Sequence, residues 1–179
     1  MKTTGYIALL RGINVGGNNI IKMSDLKACF EDMKFMDVTT YIQSGNVLFS
    51  TEEQNKQLLV TIIEQHLSER FNYQSRIVLI STEHLRRIVA SSPEFFGNNP
   101  AEYRYNVLFL KEPLTEKEAM KSIPIREGVD QVFAGEGVLY FSQLISLISK
   151  SYLTRIIGQP IYKEITIRNW NTTTKLLSK

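Results

Sequence analysis

The sequence is poor in the residues that build several common kinds of site. Its 179 residues include one cysteine, Cys29, and two histidines, His66 and His84. A single cysteine excludes an intrachain disulfide, so we expect a protein of the reducing cytoplasm. One cysteine and two histidines far apart in sequence do not make up the ligand set of a zinc site, and we expect no metal. Cys29 falls in an apolar helical pattern with Leu26 and Met33, which predicts a buried thiol rather than a nucleophile.

Long hydrophobic runs are also absent. The first apolar run, Tyr6 to Leu10, is too short for a secretory signal, and no run is long enough to span a bilayer, so we expect no membrane partner. The net charge of +3, from 21 basic and 18 acidic residues, is too small to indicate nucleic-acid binding by itself. A hydrophobic content of 43% with 22% charged residues is ordinary for one globular domain or two small ones. The oligomeric state stays open.

The signatures of common catalytic and cofactor sites are incomplete. Gly12 and Gly17 have the spacing of the glycines in a P-loop, but Asn18 and Asn19 stand where that loop needs lysine and serine or threonine. The dinucleotide fingerprint G-x-G-x-x-G is missing as well. Ser44 has no histidine close in sequence and lacks the G-x-S-x-G context of a hydrolase nucleophile. The sequence thus predicts no cofactor, and whether the protein is an enzyme stays open.

What the sequence has is an order of secondary-structure elements that occurs twice. In residues 1–82 the pattern predicts strand, helix, strand, strand, helix, strand, which is the ferredoxin-like unit. The first helix is expected to begin at Asp25, with Ser24 as its N-cap, and to end near Lys34. The remaining elements of this unit are predicted as strands at 6–10, 38–43, 47–49 and 74–80 and a helix at 53–70.

Residues 105–179 repeat that order after a linking helix and loop at 83–104. Thr115 and Glu118 form a capping-box pattern at the start of a helix. The segment Gly45–Ser50 is echoed by Gly137–Ser142 at the same place in each unit, which favours duplication.

The fold class is therefore α+β, with two β-α-β-β-α-β units and an extra C-terminal helix. Because the first strand of each unit is apolar on both faces, we expect the units to pack together. The other elements of the second unit are predicted as strands at 105–110, 131–133, 138–141 and 161–167, a helix ending near Ser122, a helix at 144–157 and a terminal helix at 170–177.

The most informative segment is the loop that follows the first strand. Residues 11–19 are rich in glycine and asparagine and begin with an arginine. A loop of this kind between a strand and a helix is a common place for ligands, since glycine amides can turn toward an anion. The alternative is that the glycines serve only the positive φ angles of a turn. The candidate ligand-binding residues are Arg11, Asn14, Gly16, Gly17, Asn18 and Lys22, with Gln43, Ser44 and Asn46 nearby.

A second polar cluster lies at 166–175 and holds the one tryptophan. Asn169, Asn171 or Thr172 could cap the final helix, whose N-terminus would present amides beside a basic residue. Trp170 could stack on a base or sugar, although a lone tryptophan in such a place more often anchors a helix to the core. We expect this cluster and the first loop to face one pocket for a small anionic or phosphorylated ligand. Its candidate residues are Arg168, Asn169, Trp170, Asn171, Thr172 and Lys175.

Two other classes of function stay open. Between Ile145 and Lys179 the sequence has six basic residues and one acidic residue, Glu164, so this region could contact nucleic acid. The ferredoxin-like unit is shared with RNA-recognition modules, but the third strands of both units lack the basic and aromatic RNP pattern. Exposed sheet edges would serve a third class, a protein–protein adaptor.

Four blocks of the sequence, spread along the whole chain, stand out together. They are Leu10–Gly17, Met23 with Leu26, Thr40–Val47, and Arg168–Thr172 with Lys175 and Leu176. These blocks resemble those of a bacterial family catalogued as domain of unknown function 1697. Thr173 departs from the family pattern, which usually has an apolar residue there. The resemblance implies an α+β fold of two ferredoxin-like halves, and it implies no activity.

Overall fold

The computed structural model describes residues 3–179. They form an α+β fold with two four-stranded antiparallel sheets, one in each of two compact units. Unit 1 runs to Leu85 and also includes Lys179, and unit 2 is Arg86–Ser178. No helix in the described range is long and apolar enough to cross a membrane.

Unit 1 consists of four strands and two helices, followed by a helix that continues into unit 2. Their bounds are β1 Thr4–Leu10, α1 Met23–Asp32, β2 Met36–Tyr41, β3 Asn46–Thr51, α2 Lys56–Phe71, β4 Ile77–Ser81 and α3 Thr82–Ala90. The strand order β2-β3-β1-β4 is that of a ferredoxin-like unit. Tyr6, Ala8 and Leu10 belong to one core with buried side chains of α1 and α2. Ile7 and Leu9 point to the other face and are fully buried there, as the apolar pattern of this strand predicts.

Unit 2 repeats the arrangement with one difference. Its elements are β5 Tyr103–Leu110, α4 Glu116–Ser122, β6 Asp130–Ala134, β7 Val138–Leu144, β8 Ile165–Asn169 and α5 Trp170–Lys175, with 3₁₀ turns at Ile145–Lys150, Leu153–Gly158, Pro160–Glu164 and Leu176–Ser178. The strand order β6-β7-β5-β8 matches that of unit 1, so the predicted fold class of duplicated ferredoxin-like units with a C-terminal helix is confirmed. Three of the 3₁₀ turns occupy the place of the second helix.

The helix predicted at 144–157 is therefore wrong, and buried polar groups explain why. The Asp130 carboxylate accepts the amide of Tyr152 at 2.8 Å, and the Ser151 hydroxyl accepts the amide of Leu153 at 3.2 Å. These side chains take amides that an α-helix would give to its own backbone, so the chain breaks at this point. Pro160 then begins another 3₁₀ turn, and the last strand starts at Ile165 rather than at residue 161.

The start of α1 also differs from the prediction. The helix begins at Met23, with Lys22 as an N-cap that makes no side-chain capping bond, and Ser24 lies inside the first turn. The side chain of Asn14 explains this earlier start. It accepts the amide of Ile21 and donates to the carbonyl of Ile21, and so fixes the backbone just before the helix. The predicted capping box of Thr115 and Glu118 is confirmed at the start of α4.

Each unit contains the same backbone hydrogen bond at an equivalent position. The amide of Leu10 donates to the carbonyl of Gly45 at 2.8 Å, and the amide of Leu110 donates to the carbonyl of Gly137 at 3.0 Å. Both glycines have a positive φ, +79° and +70°, and each immediately precedes the third strand of its unit. The six-residue echo in the sequence thus marks the same turn in both halves.

Candidate functional site

The glycine-rich loop of unit 1 folds as a small hairpin. Val15 and Asn18 form an isolated β-bridge, and the amide of Asn18 donates to the carbonyl of Val15 at 3.1 Å. Between them, Gly16 and Gly17 have φ angles of +59° and +77°. Positive φ at both central residues is what a type I′ turn requires, so the turn accounts for these two glycines. Both residues are exposed, and within residues 3–179 their amides donate to no protein acceptor.

Asn14 ties this loop to the turn between β2 and β3. Its Nδ2 donates to the carbonyls of Ile21 and Gln43, both at 2.9 Å, and its Oδ1 accepts the amide of Ile21 at 2.8 Å. Asn14 also has a φ of +53°, a conformation that asparagine tolerates better than most residues. These bonds use its side chain for structure, and they place the exposed Gln43 beside the first loop.

Asn46 has a structural role as well. It is fully buried, and its Nδ2 donates to the Tyr41 carbonyl at 2.8 Å and to the Ser44 hydroxyl at 3.1 Å. These bonds close the turn that precedes β3. The predicted residues of unit 1 therefore divide into two groups. Asn14 and Asn46 hold the loops in place, whereas Gly16, Gly17, Asn18, Lys22 and Gln43 are exposed and Arg11 and Ser44 are half-buried.

Arg11 lies beside a second arginine that the sequence analysis missed. The amide of Arg11 donates to the carbonyl of Arg76 at 3.1 Å, directly after the pair formed by Leu10 and Ile77. Opposed residues of an antiparallel pair point to the same face of a sheet, so both guanidinium groups leave β1 and β4 on one side. Pairing the first and last strands of the predicted unit would have found Arg76 from the sequence.

The equivalent position of unit 2 has the opposite charge pattern. There the amide of Lys111 donates to the carbonyl of Glu164 at 2.8 Å, so one basic and one acidic residue face each other. Unit 1 places two positive charges where unit 2 places one of each sign.

The second predicted cluster lies at the start of α5 in unit 2. Asn169 is its N-cap, and its Oδ1 accepts the amide of Thr172 at 2.7 Å. Thr172 and Thr173 are buried, while Asn169, Asn171 and Lys175 are exposed. The half-buried Trp170 packs edge-on against Phe96, the anchoring role that the sequence favoured.

Arg168 is the buried cation of this cluster. Its side chain is 8% exposed, and its Nη1 donates to the carbonyl of Ile167 at 3.0 Å. Burial lowers the pKa of the guanidinium to about 10, so the group stays charged at neutral pH.

The cysteine, histidine and carboxylate side chains are the groups that nucleophilic or metal chemistry would use. Cys29 is a buried free thiol, 2% exposed, and burial raises its pKa, so it is not activated for attack. Within residues 3–179 no group of three or more histidine, cysteine, aspartate or glutamate side chains is arranged to hold a metal ion.

These features define a class of protein, an α+β chain of two ferredoxin-like units whose first unit has an exposed glycine turn and two opposed arginines at the end of its first strand. The family model described as a protein of unknown function (DUF1697) matches residues 3–140, and the chain belongs to this family. Among solved structures, it is similar to the conserved bacterial protein SP0830 from Streptococcus pneumoniae. The two are 26% identical, with a TM-score of 0.85 over 99% of this chain and 98% of that one. No curated protein matches the sequence.

Proposed function

We propose that this protein binds a small anionic, phosphorylated ligand at the loop end of the unit 1 sheet. The observation that carries the proposal is the pairing of Arg11 with Arg76 on one face of β1 and β4. Two guanidinium groups on one side of the strands can each present several N–H donors to an anion. Arginine also offers phosphate a bidentate hydrogen bond, which lysine does not.

The loop that begins at Arg11 supplies further groups for an anion. Lys22 is exposed at the start of α1, and Gly16 and Gly17 present exposed amides at the tip of the hairpin. Backbone amides in a turn and a nearby helix N-terminus both favour negative charge. Asn14 keeps the hairpin and the exposed Gln43 in a fixed relation, so these groups need no ordering when a ligand binds.

The proposal is confined to unit 1. Arg168 and Thr172 are buried, and Trp170 packs within the aromatic cluster of unit 2. We also place the protein in the cytoplasm, which is supported by its one free, buried cysteine.

The test compares two variants with the same change in charge. Arg76→Glu recreates in unit 1 the basic and acidic pair of unit 2, and Arg104→Glu makes the same change at an exposed position of β5. Each is titrated with inorganic pyrophosphate and followed by thermal unfolding. A ligand at about a hundred times its Kd stabilises by about 2.7 kcal/mol, which raises the Tm of a chain of this size on the order of 5 °C.

We expect the shift in the parent protein and in Arg104→Glu, and its loss in Arg76→Glu. No shift in the parent, or an equal shift in all three proteins, would overturn the proposal. A short RNA serves as a further probe at low and high salt. A shift with RNA alone that disappears at high salt would favour the nucleic-acid alternative, because contacts to many phosphates are strongly salt-dependent.

A further inference from the structure

Unit 2 has a cavity of about 250 Å³ that the proposed anion site does not include. Its floor is a row of side chains across three strands. Tyr105 on β5 faces Ser142 on β7, and Ser142 faces Gln131 on β6. Since alternate residues of a strand share a face, Tyr103 extends the row along β5. The full lining is Phe95, Asn98, Asn99, Tyr103, Tyr105, Gln131 and Ser142.

The cavity lies on the sheet face opposite the α4 core. Leu108, Leu139 and Phe141 point to that core, and their strand neighbours point away from it. The segment between α3 and β5 forms the wall of the cavity, contributing Phe95, Asn98 and Asn99.

This wall is fixed by its own contacts. Phe96 meets Tyr105 and Tyr140 edge-on, with ring centroids 4.9 and 5.3 Å apart. The amide of Asn99 donates to the Tyr105 hydroxyl at 3.3 Å, and Asn98 Nδ2 donates to the Glu94 carbonyl at 2.8 Å. The cavity is thus preformed, which lowers the ordering cost of binding.

The lining has a specific chemistry, made of three aromatic rings, two of them phenols, three primary amides, one serine hydroxyl and no charged side chain. Aromatic rings stack on flat rings, and asparagine and glutamine amides pair with the donor and acceptor edges of nucleobases. Asn98 and Asn99 each donate one NH₂ hydrogen, to Glu94 and Glu102 respectively, which leaves the second hydrogen and the amide oxygen of each for pairing. Gln131 receives a long 3.5 Å bond from Ser142 at its Oε1, which leaves its NH₂ group to donate.

The size of the cavity limits the ligand further. Sites for drug-sized ligands span about 300–1,000 Å³, so 250 Å³ suits a ligand of one or two rings. The uncharged lining favours a neutral ring over a phosphate. Phe95 is 47% exposed and stands edge-on to Phe133, with ring centroids 5.2 Å apart, so part of its side chain is accessible at the cavity mouth.

We propose that this cavity binds a nucleobase through stacking on its aromatic rings and pairing with its amides. The base can come from a free nucleoside or from a single-stranded nucleic acid, and the chemistry at the cavity is the same for both. The site is independent of the anion site of unit 1, since no residue is shared.

The experiment uses the full chain and measures binding of adenosine, guanosine, cytidine and uridine by saturation-transfer NMR and calorimetry. A six-nucleotide RNA of mixed sequence is the second probe. Phe95→Ala removes the aromatic mouth, and Ile125→Ala, at an equally exposed apolar side chain of the same unit, is its control. Gln131→Ala removes the pairing amide, and Gln74→Ala, at an exposed glutamine of unit 1, is its control.

We expect binding of at least one nucleoside, weakened about tenfold or more by Phe95→Ala and by Gln131→Ala and unchanged by either control. If only the RNA binds, with the same pattern among the variants, the base comes from a strand. Absence of binding by both probes, or equal binding in all variants, would overturn the inference. Arg76→Glu should leave nucleoside binding unchanged, which separates this outcome from that of the anion site.

Discussion

The indole of Trp170 stands edge-on to the ring of Phe96, with centroids 5.1 Å apart and an interplanar angle of 84°. Phe96 lies in the segment before β5, and Trp170 is the first residue of α5, so this contact joins two parts of unit 2 that are far apart in sequence. Phe96 is 4% exposed and also meets Tyr105 and Tyr140. The tryptophan therefore anchors the terminal helix to the wall of the cavity.

Gly97 is predicted to be the least tolerant glycine near this contact. Its φ is +88°, and a Cβ added there would overlap the indole of Trp170. We expect Gly97→Ala to destabilise the protein by about 3 kcal/mol or more, because it adds a steric clash to an unfavourable φ. Urea unfolding measures the effect.

Gly128→Ala is the matched control for this change. Gly128 also has a positive φ, +75°, but nothing lies within 4 Å of an added Cβ. We expect a cost of about 1–2 kcal/mol there, from the backbone conformation alone. Equal costs at Gly97 and Gly128 would mean that the indole does not confine the segment.

Asp130 is predicted to hold the 3₁₀ segment of unit 2. It is 4% exposed, and its Oδ2 accepts the amides of Arg126 and Tyr152 at 2.9 and 2.8 Å. Its Oδ1 is buried and has no hydrogen-bond partner within the described residues. Asp130→Ala would leave two amides without their acceptor, and we expect a loss of about 2–4 kcal/mol in urea unfolding. Glu127→Ala, at an exposed neighbour, should change stability by less than about 0.5 kcal/mol.

The capping box of α4 predicts a pH dependence. Hydrogen bonds from the Thr115 backbone and hydroxyl lower the pKa of the Glu118 carboxyl below its ordinary value of 4.5. A carboxyl with a lowered folded-state pKa stabilises the fold fully above the ordinary pKa, and this contribution is lost as the pH falls through the lower value. We expect Glu118→Gln to be less stable than the parent at pH 7 and the difference to shrink toward pH 3. A difference that stays constant in urea unfolding across this range would contradict the capping role of the charged form.

Asn14 is predicted to be more important for stability than its neighbour Asn18. Asn14 makes three side-chain hydrogen bonds and has a positive φ, whereas Asn18 is an exposed residue of the turn. We expect Asn14→Ala to cost about 2–3 kcal/mol and Asn18→Ala less than about 1 kcal/mol. Thermal unfolding of both variants checks this order. The reverse order would show that the loop is held by other contacts.

Much of the fold was predictable because its signals are local. The continuous apolar run of β1 and the capping box at Thr115 each depend on residues a few positions apart. The similarity of the two short segments that begin at Gly45 and Gly137 indicated the duplication, and each segment is read from consecutive residues. The candidate site was predicted less well. The exposed turn at Gly16 was recognised, but the structural role of Asn14 was not, because its partner Gln43 lies 29 residues away.

The sequence by itself thus determined the order of the elements, the duplicated α+β fold and the family, since periodicity, turns and family blocks are written in consecutive residues. Only the tertiary structure decided which polar residues hold the loops in place and which lie exposed at the surface. The pairing of Arg11 with Arg76, the breaking of the predicted helix by Asp130 and the cavity around Tyr105 each join distant segments. Such relations depend on strand register and burial, and neither is a property of a short stretch of chain.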